Sequence, residues 1–162
     1  MFLLEWYRRE RGHIINIASQ TGRFAIPGAA VYSATKFAIV GLTETVAAEN
    51  RDSGVNFTTV MPGIVRTELA SGAAIASKGL TSVSARTVAV NVVSSIKRPK
   101  LHVDIPGIMG TIHSLYGLLP NWIKEKGRRS IGDDRILTHM NHKAHAGYAQ
   151  RIAFLANQEQ NE

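Results

Sequence analysis

Residues 12–36, GHIINIASQTGRFAIPGAAVYSATK, decide how this chain folds. Ile14, Ile15 and Ile17 make a nearly continuous apolar run of β-branched side chains. Such a run reads as a strand covered on both faces, as in a parallel sheet. Ser19 stands just past its end. Gln20 to Gly28 is punctuated by Gly22 and Pro27-Gly28 and reads as a loop. A long helix then spans about Ala30 to Asn50 and stops near Gly54, with Tyr32 and Lys36 one turn apart near its start. Ser33, Ala34, Ala38 and Gly41 are small, so another helix or the sheet can approach closely.

Before this stretch, Phe2, Leu3, Trp6 and Tyr7 recur at helical spacing, with Arg8, Arg9 and Arg11 at the negative end of the helix dipole. Gly12 is expected to end that helix. After it, Val55 to Met61 reads as a second strand closed by Pro62-Gly63. Residues 68–82 are small and polar, with Gly72 and Gly79, and read as a mobile loop with about one helical turn. Ala85 to Lys97 reads as a helix carrying Val88, Val92, Val93 and Ile96 on one side. Lys100 to Ile105 reads as a third strand. There Leu101, Val103 and Ile105 alternate with His102 and Asp104, as on a half-exposed strand near a sheet edge.

Strand, helix, strand, helix, strand defines an α/β, Rossmann-like fold with a parallel sheet of about three strands. The most apolar strand has a free side, and a bare edge invites aggregation. The expectation is therefore a single incomplete domain over 1–162. Residues 1–105 form its core and 106–162 an apolar and basic extension. In that extension Leu115, Leu118, Leu119, Trp122 and Ile123 form an apolar stripe interrupted by Pro120, and Gly147 to Asn157 reads as a final helix.

With 162 residues, 44% hydrophobic and 19% charged, the composition is that of a globular domain with a real core. There is no cysteine, which excludes disulfides and thiolate chemistry and fits a reducing, cytoplasmic setting. No apolar run reaches the length of a membrane span. The net charge of +7 is concentrated in the last third, at Lys97, Arg98, Lys100, Lys124, Lys126, Arg128 and Arg129. No nucleic-acid motif accompanies it, so it reads as a solvated basic face. His139, His142 and His145 recur every third residue, which walks around a helix, and no carboxylate cluster joins them. No metal site is expected there. Trp6 and Trp122 read as packing residues. The stripe from Leu115 to Ile123 could dip into a membrane interface, cap an apolar pocket or pack on a subunit. Its shortness and Pro120 favour the last two.

Tyr32 and Lys36 fall on one helix face. A phenol ordinarily has a pKa near 10. A neighbouring ammonium and the positive end of a helix dipole both favour the phenolate. Such a tyrosine can exchange a proton with a substrate oxygen. A serine at the C-terminal end of a buried strand, where open α/β sheets bind ligands, can hold that oxygen. Alone, Tyr-x-x-x-Lys is weak, arising by chance in roughly one chain of this length in three.

The combination is specific. Ser19 precedes Tyr32 by thirteen residues, Tyr32-Ser33-Ala34-Thr35-Lys36 follows, and the next strand ends in Pro62-Gly63-Ile64-Val65-Arg66-Thr67. In these features the chain resembles the C-terminal part of a short-chain dehydrogenase/reductase. The likeness is tight over residues 12–67 and looser over 85–105. It implies reversible hydride transfer between NAD or NADP and a carbonyl/alcohol pair. Tyr32 would be the general acid/base, Lys36 its modulator and the partner of the nicotinamide ribose, and Ser19 the group that orients substrate. Pro62, Gly63, Val65 and Thr67 would contact the nicotinamide end. It also implies a homo-oligomer, and the apolar tail suggests a lipophilic small-molecule substrate. The family's glycine-rich phosphate-binding turn has no counterpart in these residues, nor has the asparagine of its proton relay. The chain is accordingly expected to be part of a longer enzyme. The alternative is an inactive truncated fragment that acts only by packing on a subunit or partner.

Overall fold

The computed structural model describes residues 2–66 and 82–131, together with single positions 150 and 153. Three parallel strands form its centre: β1 (Gly12–Ile17), β2 (Val55–Pro62) and β5 (His102–Ile105), in the order β1-β2-β5. Gly12 pairs with Val55 at one end of the first ladder and Ile17 with Val60 at the other. Thr59 to Pro62 pair with His102 to Ile105. A helix follows each of the first two strands, α2 (Ala30–Glu49) and α3 (Ala85–Lys97). The fold is thus the α/β parallel arrangement that the sequence dictates.

β2 lies between the other two strands, and its neighbouring residues Val60 and Met61 are fully buried. Successive side chains of a strand point to opposite faces. Met61 packs with Ala18, Val40 and Ile39 beneath α2. Val60 packs with Val83, Ile105, Val88 and Val92 beneath α3. The sheet is therefore covered by a helix on each face. Thr58 and Thr59, also fully buried, fill the rest of the strand. The Thr58 hydroxyl donates to Lys100 O at 2.7 Å and so accepts from His13 Nε2, also at 2.7 Å. Burial favours neutral His13 and lowers its pKa.

Several local expectations need correction. β1 has the free side expected of it, at the edge of the sheet, but it is not covered on both faces: its residues are half-buried and Ile17 is exposed. A central place, not a strand's own composition, brings full cover. Helix α1 (Phe2–Arg8) is ended not by Gly12 but by Glu10, which takes the left-handed conformation at φ 49°. Gly12 instead opens β1 beneath Trp6, where a Cβ would lie 2.7 Å from the indole. On α3 only Val88 and Val92 join the core, while Val93 and Ile96 are exposed. On α2 it is Ser33 that is buried; Ala34, Ala38 and Gly41 lie on its exposed side.

A two-residue parallel pair, β3 (Ile64–Val65) with β4 (Ser82–Val83), was not legible in the sequence. The loop read over 68–82 lies outside the described residues except for Ser82, as do His139, His142, His145 and nearly all of the final helix. In the extension, α4 (Ile108–Leu118) and α5 (Asn121–Ile131) flank Pro120, whose carbonyl accepts from Ile123 N and Lys124 N and so starts the second helix. Leu115, Leu118, Leu119 and Trp122 are all exposed, so the Trp122 ring is not a packing residue among the described residues. No helix among the described residues is long and apolar enough to cross a membrane.

Candidate active site

The C-terminal ends of β1 and β2 lie side by side, since Ala18 N donates to Val60 O at 2.9 Å. Ser19 follows at once with an extended backbone, and its hydroxyl accepts from Thr21 N at 3.2 Å. That contact caps a turn of 3-10 helix over Gln20–Gly22, all of it buried. Gly22 permits the turn to rest on α2: a Cβ there would lie 2.8 Å from Lys36 O and 3.0 Å from Val40 Cγ2.

The first turns of α2 thus stand over the same strand end that presents Ser19. Lys36 Nζ reaches back to Ile17 O at 3.4 Å, a long contact, and lies 5.5 Å from the centre of the Tyr32 ring. Tyr32 is 47% exposed. Ser19, by contrast, is buried. A hydroxyl at a strand end, a partly exposed phenol and an ammonium beside it form a set able to hold an oxygen and pass a proton to it.

Pro62 and Gly63 stand at the neighbouring strand end, and Gly63 N donates to Ile105 O at 2.7 Å. Val65 follows in β3, while Thr67 lies outside the described residues. The structure therefore brings Ser19, Lys36, Pro62 and Gly63 to the C-terminal edge of one sheet. Among the described residues, no group of three or more His, Asp or Glu side chains could hold a metal.

A polar network joins these strand ends that the sequence did not disclose. Gln20 Nε2 donates to Met61 O at 2.8 Å and to Asp104 Oδ1 at 2.9 Å. Arg23 Nη1 donates to Asp104 Oδ2 at 3.2 Å, and the two side chains are only 11% and 9% exposed. Asp104, read as facing solvent, is covered. The alternation along β5 was the available signal, but it could not show that the polar face lies against a turn 81 residues earlier. On the same face, His102 Nε2 lies 3.0 Å from Glu44 Oε1. That distance suits an ion pair, yet burial, aided by Arg23, outweighs Glu44 and Asp104 and lowers the His102 pKa. The contact is therefore a hydrogen bond from neutral His102 at neutral pH. His113 of α4 is lowered for the same first reason, burial, followed by the Arg23 charge.

A parallel sheet with a helix on each face, and Ser19 and Lys36 at its C-terminal edge, is a Rossmann-like arrangement. The family model for short chain dehydrogenase matches residues 1–78. Over that region the chain is similar to short-chain dehydrogenases. The oxidoreductase UcpA of Escherichia coli K12 is 42% identical over 73 residues, which are 44% of this chain and 28% of UcpA. A short chain dehydrogenase from Burkholderia cenocepacia J2315, solved with NADP, superposes with a TM-score of 0.62 over 80% of this chain and 51% of that one, at 22% identity. A 4-hydroxyisoleucine dehydrogenase solved with NADH gives 0.52 over 63% of this chain and 49% of that one, at 25% identity. The chain spans about a quarter of the curated relatives' length, from 20% to 28%, and about half of the solved ones'.

Proposed function

We propose that this chain carries the proton-handling part of an NAD- or NADP-dependent oxidoreductase that interconverts a carbonyl and an alcohol. The observation that carries the reading is the contact of Lys36 Nζ with Ile17 O, which holds the Tyr32 helix over the strand end from which Ser19 emerges. Tyr32 gives its phenolic proton to the substrate oxygen in reduction and takes it back in oxidation. Ser19 holds that oxygen, and Lys36 stands beside the Tyr32 ring, 5.5 Å from its centre. The donor set fits a nicotinamide riboside: the Lys36 ammonium and the Tyr32 hydroxyl suit ribose hydroxyls. Pro62, Gly63 and Val65, with Thr67 two residues further in the sequence, would hold the nicotinamide end. The bound cofactor would supply or accept the hydride, while the chain supplies position and the proton. The family's glycine-rich turn, absent from these 162 residues, would come from further chain of the same protein.

The exposed apolar residues Val31, Phe37 and Leu42 of α2 favour packing of that helix on a second subunit, so the working protein is proposed to be a homo-oligomer. They also favour the second reading, an inactive fragment that acts only through such packing. The apolar stripe of α4 and α5 supports a lipophilic substrate.

The test is Tyr32→Phe in the complete protein, followed by nicotinamide absorbance. Turnover should fall by at least about a hundredfold while cofactor binding is largely kept, since Tyr32 supplies only one of several contacts to the nicotinamide riboside. Turnover retained by the variant removes Tyr32 from this role. A wild-type protein that binds no nicotinamide nucleotide leaves the packing reading in its place.

A further inference from the structure

We infer that Asp104 is a positioning residue, which clamps the turn that follows Ser19 onto the far edge strand of the sheet and so sets where the Ser19 hydroxyl stands. The inference rests on the oxidoreductase reading above.

Both oxygens of the Asp104 carboxylate are engaged by this turn. Oδ1 accepts from Gln20 and Oδ2 from Arg23. Gln20 is the residue next to Ser19, and its second amide hydrogen goes to Met61 O on the central strand. Ser19 is thus tied through its neighbour to β2 and β5 at once. The roof of the clamp is α4. A Cβ on Gly110 would lie 2.7 Å from Asp104 Oδ2, so the first turn of that helix rests directly on the carboxylate. The positive end of its dipole favours the charge there. Further along α4, His113 and Tyr116 hold Phe24 edge-to-face at centroid distances of 5.3 and 5.4 Å. The extension therefore closes over the same turn from outside.

The chemistry explains why a charge is used here. A buried ion pair loses in desolvation much of what it gains in attraction, and apolar residues would often stabilise the same space better. What the Arg23–Asp104 pair supplies instead is direction. A forked guanidinium and a carboxylate meet in few geometries, whereas apolar contacts allow a turn to slide. The turn carries Ser19 at the strand end that Lys36, one helical turn from Tyr32, also reaches.

The test compares Asp104→Asn, Arg23→Met and the double variant with wild type in the full chain. Hydrogen exchange is followed by mass spectrometry on peptides covering 18–24 and 55–62. Each single variant should speed exchange of 18–24 by tenfold or more and leave the central strand unchanged. The double variant should add little to Asp104→Asn, because both remove one interaction. In the nicotinamide assay on the complete protein, kcat per folded molecule, with the folded fraction measured by circular dichroism in the assay buffer, should fall at least tenfold with the cofactor KM unmoved, a loss that a smaller folded fraction does not produce. If Asp104→Asn loses protection throughout, Arg23→Met decides. A folded Arg23→Met chain with wild-type exchange over 18–24 overturns the clamp. Wild-type kcat in a variant whose turn has loosened overturns the positioning role. Failure of the oxidoreductase reading shows separately, as turnover retained by Tyr32→Phe, whose exchange over 18–24 should match wild type.

Discussion

Gly22→Ala is the substitution that most directly asks whether the turn beneath α2 holds the site. The new Cβ would lie 2.8 Å from Lys36 O and 3.1 Å from Lys36 C, where ordinary contact begins near 3.4 Å. Both atoms are helix backbone, held by the hydrogen-bond ladder of α2, so they cannot rotate aside. The turn must retreat by about 0.6 Å, which is an overpacking strain of roughly 1–3 kcal/mol. Alanine narrows the unfolded ensemble and returns about 0.4–1 kcal/mol. A net loss of about 1–2 kcal/mol is expected, or a fall of about 0.5–1 M in the urea midpoint at an ordinary denaturant slope. The function should suffer more than the stability. Gly22 N donates to Ser19 O at 2.9 Å, so the retreat moves Ser19 with the turn. A misplacement of about 1 Å can cost on the order of a hundredfold in rate, so about half that shift should cost roughly tenfold in kcat. Urea unfolding followed by circular dichroism, with turnover at saturating cofactor, gives both values. A midpoint and a kcat equal to wild type would show that the turn does not need its close seat on Lys36, and the packing account would fail.

Two further outcomes concern the scaffold. Gly54, at φ 71°, would place a Cβ only 2.1 Å from Glu10 O, so Gly54→Ala should destabilise by about 3 kcal/mol or more, read from the urea midpoint; an unmoved midpoint would refute that seat. His13, His102 and His113 all have folded-state pKa values lowered below 6.5, chiefly by burial. The unfolded chain then binds more protons as acid is added. The stability they confer is complete above about pH 6.5 and is lost as pH falls below it. Thermal scans at pH 7.5 and 5.5 should give a lower midpoint at the acid pH, and His102→Gln should reduce the difference. A midpoint that rises toward acid contradicts the burial of these rings.

The sequence by itself determined the order of elements, because each strand and helix writes its own period into a few neighbouring residues. The isoleucines of β1, the small and apolar positions of α2 and the alternation in β5 all do so. It also determined that Tyr32 and Lys36 share one helix face, because one helical turn is a short, stiff spacer; Ser19 joins them only by the resemblance. Their roles remain for the Tyr32→Phe experiment. Only the tertiary structure decided which strand is buried. Ile14 and Ile15 look more internal than Thr58 and Thr59, yet the threonines occupy the central strand and are the ones fully covered. It alone decided that Asp104 lies under α4 against Gln20 and Arg23. Burial and the pairing of charges depend on which elements meet, and no local period records a meeting between residues eighty positions apart.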